Sequence, residues 1–451
     1  PPLGEVTLQP LEHAGVASAA KIALLQAMVG EKKADAAVLS AADSVAWAFN
    51  MRGRDIAHNP APLAFAIVPH EGLPTLYLDG RKLSNAVRDS LATLADIREP
   101  GELGKGLEAL AKAGAKVLLD PQATSDWIAG KIRAGGGTIV EGADPAVLPK
   151  ARKNAVEIEG ARRAQIRDGA AMVRFLAWLD RTAPAERLDE IAAAEKLEAI
   201  RAETARRDGS DLADISFDTI SGAGPNGAIV HYRVTRQTSL PLVAGTLYLI
   251  DSGGQYRDGT TDITRTVPIG APSDEMRDRF TRVLKGHIAI ATARFPIGTT
   301  GAQIDALART ALWQAGLDYD HGTGHGVGAF LSVHEGPARI SKLGHAPLEP
   351  GMILSNEPGY YKTGAFGIRI ENLIVVSPPA EIAGGDRPML GFETVTLAPI
   401  DRRLVVAALL TPSEIAWLDA YHSRLSPALD RLLDAEDRVW LARMTQAIAA
   451  G

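Results

Sequence analysis

Cysteine is absent from the 451 residues. Disulfides, thiolate metal sites, iron–sulfur clusters and cysteine nucleophiles are all excluded with it. Any metal must be held by His, Asp and Glu. No apolar run approaches the roughly 18 residues a membrane helix needs. No Gly-x-Ser-x-Gly occurs, so a serine nucleophile elbow has no support. No Asn-x-Ser/Thr acceptor occurs. A basic excess is also missing: 48 Lys and Arg stand against 54 Asp and Glu, for a net charge of −6. That balance argues against nucleic acid or an anionic membrane as partner. Pro1–Pro2–Leu3 does not read as a secretory signal, so a cytoplasmic location is expected. Without an initial Met, the chain reads as a fragment of a longer protein.

What is present is globular. Hydrophobic residues make up 46% and charged residues 23%, enough for a large core. Up to about residue 150 the texture is mixed. Ala19–Val29 reads as a helix, and Ala36–Leu39, Leu63–Val68, Thr75–Leu78 and Lys116–Leu119 as short strands. Asp144–Asn154, with two prolines and three basic residues, reads as a linker. Ile166, Ala170, Val173 and Ala177 fall on one helical stripe, and a second helix is expected near Glu186–Arg206. Strands are expected at Ser216–Ser221, Ala228–Val234, Leu247–Asp251, Thr261–Val267, Ile368–Val376 and Phe392–Leu397. Helices are expected around Met276–Ile290 and Ile304–Ala315, the latter ending at Gly316. Thr411–Pro412–Ser413–Glu414 is a capping box with Pro at the first helical position.

The chemistry-bearing residues lie between 216 and 371. Asp251 ends an apolar strand, and Asp262 follows eleven residues later with Asp258–Gly259 as a turn between them. A hairpin would set the two carboxylates side by side, where they repel unless a cation or a proton intervenes. Next comes His321–Gly322–Thr323–Gly324–His325–Gly326–Val327–Gly328, then His334–Glu335–Gly336–Pro337. The latter lacks the second His of a zincin motif. Glu357 follows the apolar run Met352–Leu354, and Arg369 and Glu371 share one face of a strand. Each feature alone has a plain alternative: strand-end acids, a solvated glycine loop, or an Arg–Glu ion pair. Gly222–Gly227 matches Gly-x-Gly-x-x-Gly, but no helix is expected after it, so nucleotide binding is unsupported. His287 falls on an apolar helix stripe and reads as a packed core residue. Arg162, Arg163 and Arg167, and Arg206 and Arg207, read as solvated helix faces. His13, His58, His70, His345 and His422 show no partner signal.

The ordered set Asp251, Asp262, His325, Glu357, Glu371 resembles the dinuclear ligand set of the pita-bread metallopeptidases over about residues 156–400. Within that family, Trp47–Pro60, Gly227–Tyr232, His321–Pro337 and the tail from Gly391 resemble the long-form Xaa-Pro aminopeptidases. The resemblance implies an α/β pita-bread catalytic domain over 151–400, a metal-free creatinase-N-like αβ domain over 1–150 and a helical extension over 401–451. It also implies a further domain ahead of residue 1, which is expected to be missing.

The resemblance makes Asp262 and Glu371 bridging ligands, gives Asp251 to one metal, and gives His325 with Glu357 to the other. Four carboxylates and two divalent ions would cancel in charge. An oxygen-rich donor set favours Mn2+, with Zn2+ and Co2+ as alternatives. A water shared by the metals would be the nucleophile, with Glu357 as proton shuttle. His231 and His334 are expected at the scissile carbonyl and the proline, and His321, Tyr361 and Arg369 around the substrate or the ligands. The expected activity removes the first residue from peptides with proline second. X-Pro dipeptide hydrolysis and a non-catalytic binding role are the alternatives. Leu429, Leu432, Leu433 and Leu441 suggest either internal packing or a homodimer contact, with the dimer favoured.

Overall fold

A computed structural model describes residues 2–184 and 187–448. The chain divides into two compact units, Pro1–Glu157 with Phe330–Ser332, and Ile158–Ala329 with Val333–Gly451.

The first unit is built on a six-stranded sheet: β1 (Ala36–Leu39), β2 (Phe65–Pro69), β3 (Thr75–Tyr77), β4 (Asp96–Arg98), β5 (Lys116–Leu119) and β6 (Thr138–Glu141). Their order is β4-β3-β2-β1-β5-β6. β1 is buried at every position, as an apolar run at the centre of a covered sheet should be. Helix α1 (Ser18–Glu31) buries Ile22, Leu25 and Val29 at helical spacing. Leu331 joins the core of this unit beside Met51, and Arg52 Nε donates to Phe330 O at 2.6 Å. The segment read as a linker is not one. Val147–Ala151 is helical, and Lys150 is buried with its Nζ on Asp43 at 2.6 Å. The Lys150 charge is thus spent on internal pairing rather than on solvation.

The second unit opens with α2 (Ala155–Thr182), whose stripe Ala170, Val173 and Ala177 is fully buried. Helix α3 (Glu190–Arg207) follows, capped by the Asp189 side chain on Ala192 N. Glu186, the expected start of that helix, lies outside the described residues. Arg167 is not solvated: it is buried and paired to Asp208 and Asp258 at 3.1 and 3.0 Å. Arg207 pairs with Glu203 and Asp434.

Three strands form one antiparallel sheet: β7 (Ile220–Ala223), β8 (Thr246–Ser252) and β9 (Ile263–Ile269). Helices α4 (Asp274–Ala291) and α5 (Gly301–Trp313) come next. Gly316 takes the left-handed conformation, φ +71°, just beyond the end of α5. A second sheet, ordered β11-β10-β12-β15-β16, comprises β10 (Gly324–Gly326), β11 (Glu335–Ile340), β12 (Ile353–Asn356), β15 (Asn372–Val376) and β16 (Phe392–Thr394). A separate hairpin joins β13 (Gly359–Lys362) to β14 (Phe366–Arg369).

Three strand expectations are corrected. Ser216–Ser221 is a strand only from Ile220, where β7 begins. Ala228–Val234 is not a strand; a 3-10 turn (Gly224–Ala228) leads into irregular chain. Ile368–Val376 is two strands, because Ile370 N and Glu371 N leave the ladder to bond Pro358 O and Thr264 O. The expected capping box is present at α6 (Pro412–Ser423). Leu429, Leu432, Leu433 and Leu441 are all buried in the main core, each contributing about 1.5–3 kcal/mol there. They form no surface, so the homodimer expectation loses the residues it rested on. Among the described residues, no helix is long and apolar enough to cross a membrane.

Candidate metal centre

Strand β8 delivers Asp251 near its end, and β9 begins one residue after Asp262. Asp251 pairs with Thr264 in register, while a small hairpin, Gly254–Tyr256 with Gly259–Thr260, fills the connection. Both carboxylates are buried.

His325 is the middle residue of β10, where the strand is pressed on both sides. A Cβ on Gly324 would sit 2.0 Å from Ser355 O, and one on Gly326 would sit 2.1 Å from Glu335 O. The glycines therefore serve strand packing rather than a loose loop. Glu357 leaves the end of β12, where its N–H donates to Thr323 O. Glu371 occupies the break between β14 and β15, held by Thr264 Oγ1, which donates to its Oε2 at 2.7 Å.

These side chains converge. One donor atom from each of Asp262, His325 and Glu371 lies within 4.8 Å of the others. His325 Nε2 is 3.4 Å from Asp262 Oδ2 and 3.4 Å from Glu357 Oε1. His325 Nδ1 lies 2.9 Å from Gly326 O, which can only accept. Nδ1 therefore carries the proton in the neutral ring, and the Nε2 lone pair faces carboxylate oxygens.

Electrostatics reports the same crowding. Burial first, then Asp251 and Glu357, push Asp262 far above the usual carboxylate range. Burial, then Asp262, Glu357 and Asp251, push Glu371 the same way. Glu357 is raised by burial, against the lowering pull of His325 and Arg369. Asp251 Oδ1 is buried without a hydrogen-bond partner. Lone pairs facing lone pairs, together with an orphaned carboxylate oxygen, are what a site for divalent cations requires. The residues present fit such ions.

A chain of hydrogen bonds backs the cluster. Arg369 Nη2 donates to Asp251 Oδ2 at 2.6 Å, and its Nη1 donates to Tyr361 Oη at 2.7 Å. Tyr361 Oη is 2.8 Å from His321 Nε2, and His321 Nδ1 is 2.8 Å from Gly322 O. Gly322 O only accepts, so Nδ1 is protonated and the Tyr361 hydroxyl donates to Nε2. Burial, then the Arg369 charge, lowers the His321 pKa to about 3. Burial pushes the Tyr361 hydroxyl up to about 12.

Of the ten expected site residues, all but Tyr361 line one cleft of about 680 Å³. His334 packs against His325 with ring centroids 4.2 Å apart and the rings tilted by 48°. Burial in the cleft, with His325 and His231 nearby, lowers the His334 pKa to about 4. His231 lies on an exposed turn at the rim.

Sequence reading missed the supporting residues. Thr264 bonds both Glu371 and Arg369 Nε, and Thr266 Oγ1 brackets the Arg369 backbone. Ser355 Oγ accepts from His325 N and donates to Glu357 Oε1. The polar run Thr264–Arg265–Thr266 inside a strand with apolar ends was the available signal. His287 is a core residue as expected, yet it also ties β12 and β15 together. Its Nδ1 lies 3.1 Å from Asn356 O, and its Nε2 lies 3.1 Å from Asn372 Nδ2. His422, which showed no partner signal, accepts from Ile400 N at 3.1 Å.

Comparison with known proteins follows this division of the chain. Residues 159–378 match metallopeptidase family M24, residues 1–157 the creatinase/prolidase N-terminal domain, and residues 388–448 the C-terminal region of peptidase M24. An Arthroderma gypseum protein named "Probable Xaa-Pro aminopeptidase P" is 42% identical over 465 residues, covering 99% of this chain and 72% of its own length. A Laccaria bicolor protein of the same name is 45% identical over 449 residues, covering 96% of this chain and 68% of its own length. Among solved structures, the X-prolyl aminopeptidase of Caenorhabditis elegans superposes with a TM-score of 0.93 at 35% identity. That match covers 99% of this chain and 74% of the other. It is described as a cytosolic enzyme with a di-nuclear active site. Dipeptidase PepE from Mycobacterium ulcerans matches with a TM-score of 0.68 at 26% identity, covering 85% and 96%.

Proposed function

Because the chain belongs to metallopeptidase family M24, in the group of the Xaa-Pro aminopeptidases P, we propose that its cleft removes the first residue from peptides with proline in second position. The protein is a metal-dependent aminopeptidase of the pita-bread fold that takes two divalent ions. We assign Asp251, Asp262, His325, Glu357 and Glu371 as the residues that hold them, with Asp262 and Glu371 shared, and Mn2+ as the native ion. The convergence of Asp262, His325 and Glu371 within 4.8 Å is the observation that carries this reading.

When bound, such ions polarise a carbonyl and make water a competent nucleophile near neutral pH. The chain's residues supply the rest. Glu357 Oε1 holds and passes the proton, since it borders the cluster beside His325 Nε2. His334 and His231, at the cleft wall and rim, contact the scissile carbonyl and the proline residue. His321 is held neutral and acts as an oriented neighbour of the substrate, with Tyr361 fixing its ring. Arg369 fixes Asp251. An X–Pro bond lacks an N–H, so strand-like docking fails, and a pocket that grips a free amine and a proline ring takes its place.

The location is cytoplasmic on this reading, in line with the C. elegans enzyme. A homodimer through the C-terminal region would use exposed Val439 rather than the buried leucines. The test is a cleavage panel on enzyme stripped by chelator and then reloaded with Mn2+, Zn2+ or Co2+. X-Pro-X peptides should be cut only after reloading, fastest with Mn2+, and X-Pro dipeptides poorly. Full activity without metal, or preference for dipeptides, would overturn the reading.

A further inference from the structure

Glu190 is fully buried at the first turn of α3, yet its carboxylate meets no metal ligand. It collects donors from one stretch of chain instead. Ala223 N donates to Oε1 at 2.7 Å, and the Asn226 side-chain amide reaches both oxygens at 3.0 and 3.1 Å. The Tyr232 hydroxyl donates to Oε2 at 2.9 Å, and Leu240 N donates to Oε2 at 3.0 Å. All of these donors are neutral groups. They sit at the start, middle and end of the segment 223–240. The helix N-terminus adds a favourable field, but the segment itself satisfies the carboxylate.

That segment carries His231, next to the buried Tyr232. Beyond Ala223, the last residue of β7, it has no strand to hold it. We propose that Glu190 is a positioning residue: it ties this segment into one shape and thereby holds His231 at the rim of the cleft. The inference rests on the substrate-contacting role given to His231 above. An isosteric amide cannot replace the carboxylate. Its NH2 would face either the Leu240 N–H or the Ala223 N–H, and would present a donor to a donor.

The test uses the full chain loaded with Mn2+ and two variants, Glu190→Gln and the milder Tyr232→Phe. Exposed Arg233 and Arg236 lie within the segment and offer tryptic sites that report its opening. We expect nicking there to rise at least tenfold in Glu190→Gln and to a lesser degree in Tyr232→Phe. We expect kcat/KM on an X-Pro-X peptide to fall at least tenfold in Glu190→Gln, with metal stoichiometry unchanged. In a His231→Ala background, Glu190→Gln should cost little more, because its effect passes through that side chain. Unchanged nicking in both variants overturns the anchoring role. Additive losses in the His231→Ala background overturn the route through His231. If His231→Ala alone keeps wild-type kcat/KM, the role of His231 falls, while the nicking result still decides whether Glu190 holds the segment.

Discussion

Arg369 donates from Nη2 to Oδ2 of Asp251 at 2.6 Å, while Asp251 Oδ1 stays buried and unpartnered. One oxygen is thus fixed by the guanidinium and the other kept available. Arg369→Lys would keep the charge but lose the fork that also reaches Tyr361 and Thr264. Supporting partners of metal ligands are worth about 10–100-fold in metal affinity. Arg369→Lys is therefore expected to weaken binding of at least one ion by about that factor. Competition titration against a chelating dye reads it. Wild-type affinity would dismiss the orienting role.

Gly324 has no room for a side chain, because Ser355 O fills the position at 2.0 Å. In Gly324→Ala, β10 must move away from β12, and His325 moves with it. Overpacking of this kind costs about 1–3 kcal/mol. The expected result is a lower melting temperature with the metal complement reduced. Calorimetry and metal analysis on the same preparation check it. An unchanged melting temperature would mean that the strand absorbs the methyl elsewhere.

The convergence of Asp251, Asp262, Glu357 and Glu371 with His325 in one cleft was legible because residue type, order and spacing carry it, and metal chemistry narrows the types to Asp, Glu and His. The strands at Ala36–Leu39 and Lys116–Leu119 were legible because a run buried on both faces is apolar, as all of the first and Val117–Leu119 of the second are. Ala228–Val234 misled for a physical reason. Its β-branched and aromatic residues suit a strand, but Glu190, far away in sequence, bonds the Tyr232 hydroxyl and the backbone on either side, Ala223 N and Leu240 N. The break at Ile370–Glu371 was equally hidden, since the backbone bonds that end the strand go to Pro358 and Thr264. Leu429, Leu432, Leu433 and Leu441 could not be assigned to core or interface from spacing, because both would select the same residues. The support from Thr264, Ser355 and His287 depends on tertiary contacts that no local pattern encodes.

Arg265 is fully buried and has no carboxylate partner among its hydrogen bonds. Its Nη1 donates to Glu371 O at 2.7 Å, and its Nη2 reaches Tyr421 Oη at 3.1 Å. Tyr421 lies on α6, so the C-terminal region braces the strand break that presents Glu371. Tyr421→Phe removes one acceptor from a buried cation. Loss of a hydrogen bond to a charged group costs about 1.5–3 kcal/mol. Chemical denaturation should show a loss of this size with an unchanged slope. A variant as stable as wild type would show that Arg265 is held by its carbonyl partners alone.

His422 accepts from Ile400 N through Nε2, a bond that requires the neutral ring. Burial, with Arg265 and Arg402 nearby, lowers its pKa to about 4, and burial lowers that of His287 to about 3. Both values lie below the unfolded histidine value of about 6.5. Between pH 6.5 and 4 the unfolded chain therefore binds more protons than the folded one at these two positions. Their contribution makes stability fall as pH falls, by at most about 1.4 kcal/mol per pH unit for each histidine. The buried carboxylates of the metal centre titrate with the opposite sign when metal is removed, so a bare acid profile mixes the two. His422→Gln keeps an acceptor for Ile400 N and removes one titrating group. The stability difference between wild type and His422→Gln, measured by urea unfolding from pH 7 to pH 4.5, should shift in favour of the variant as pH falls. A difference that stays constant across this window would mean that His422 titrates alike in the folded and unfolded chains.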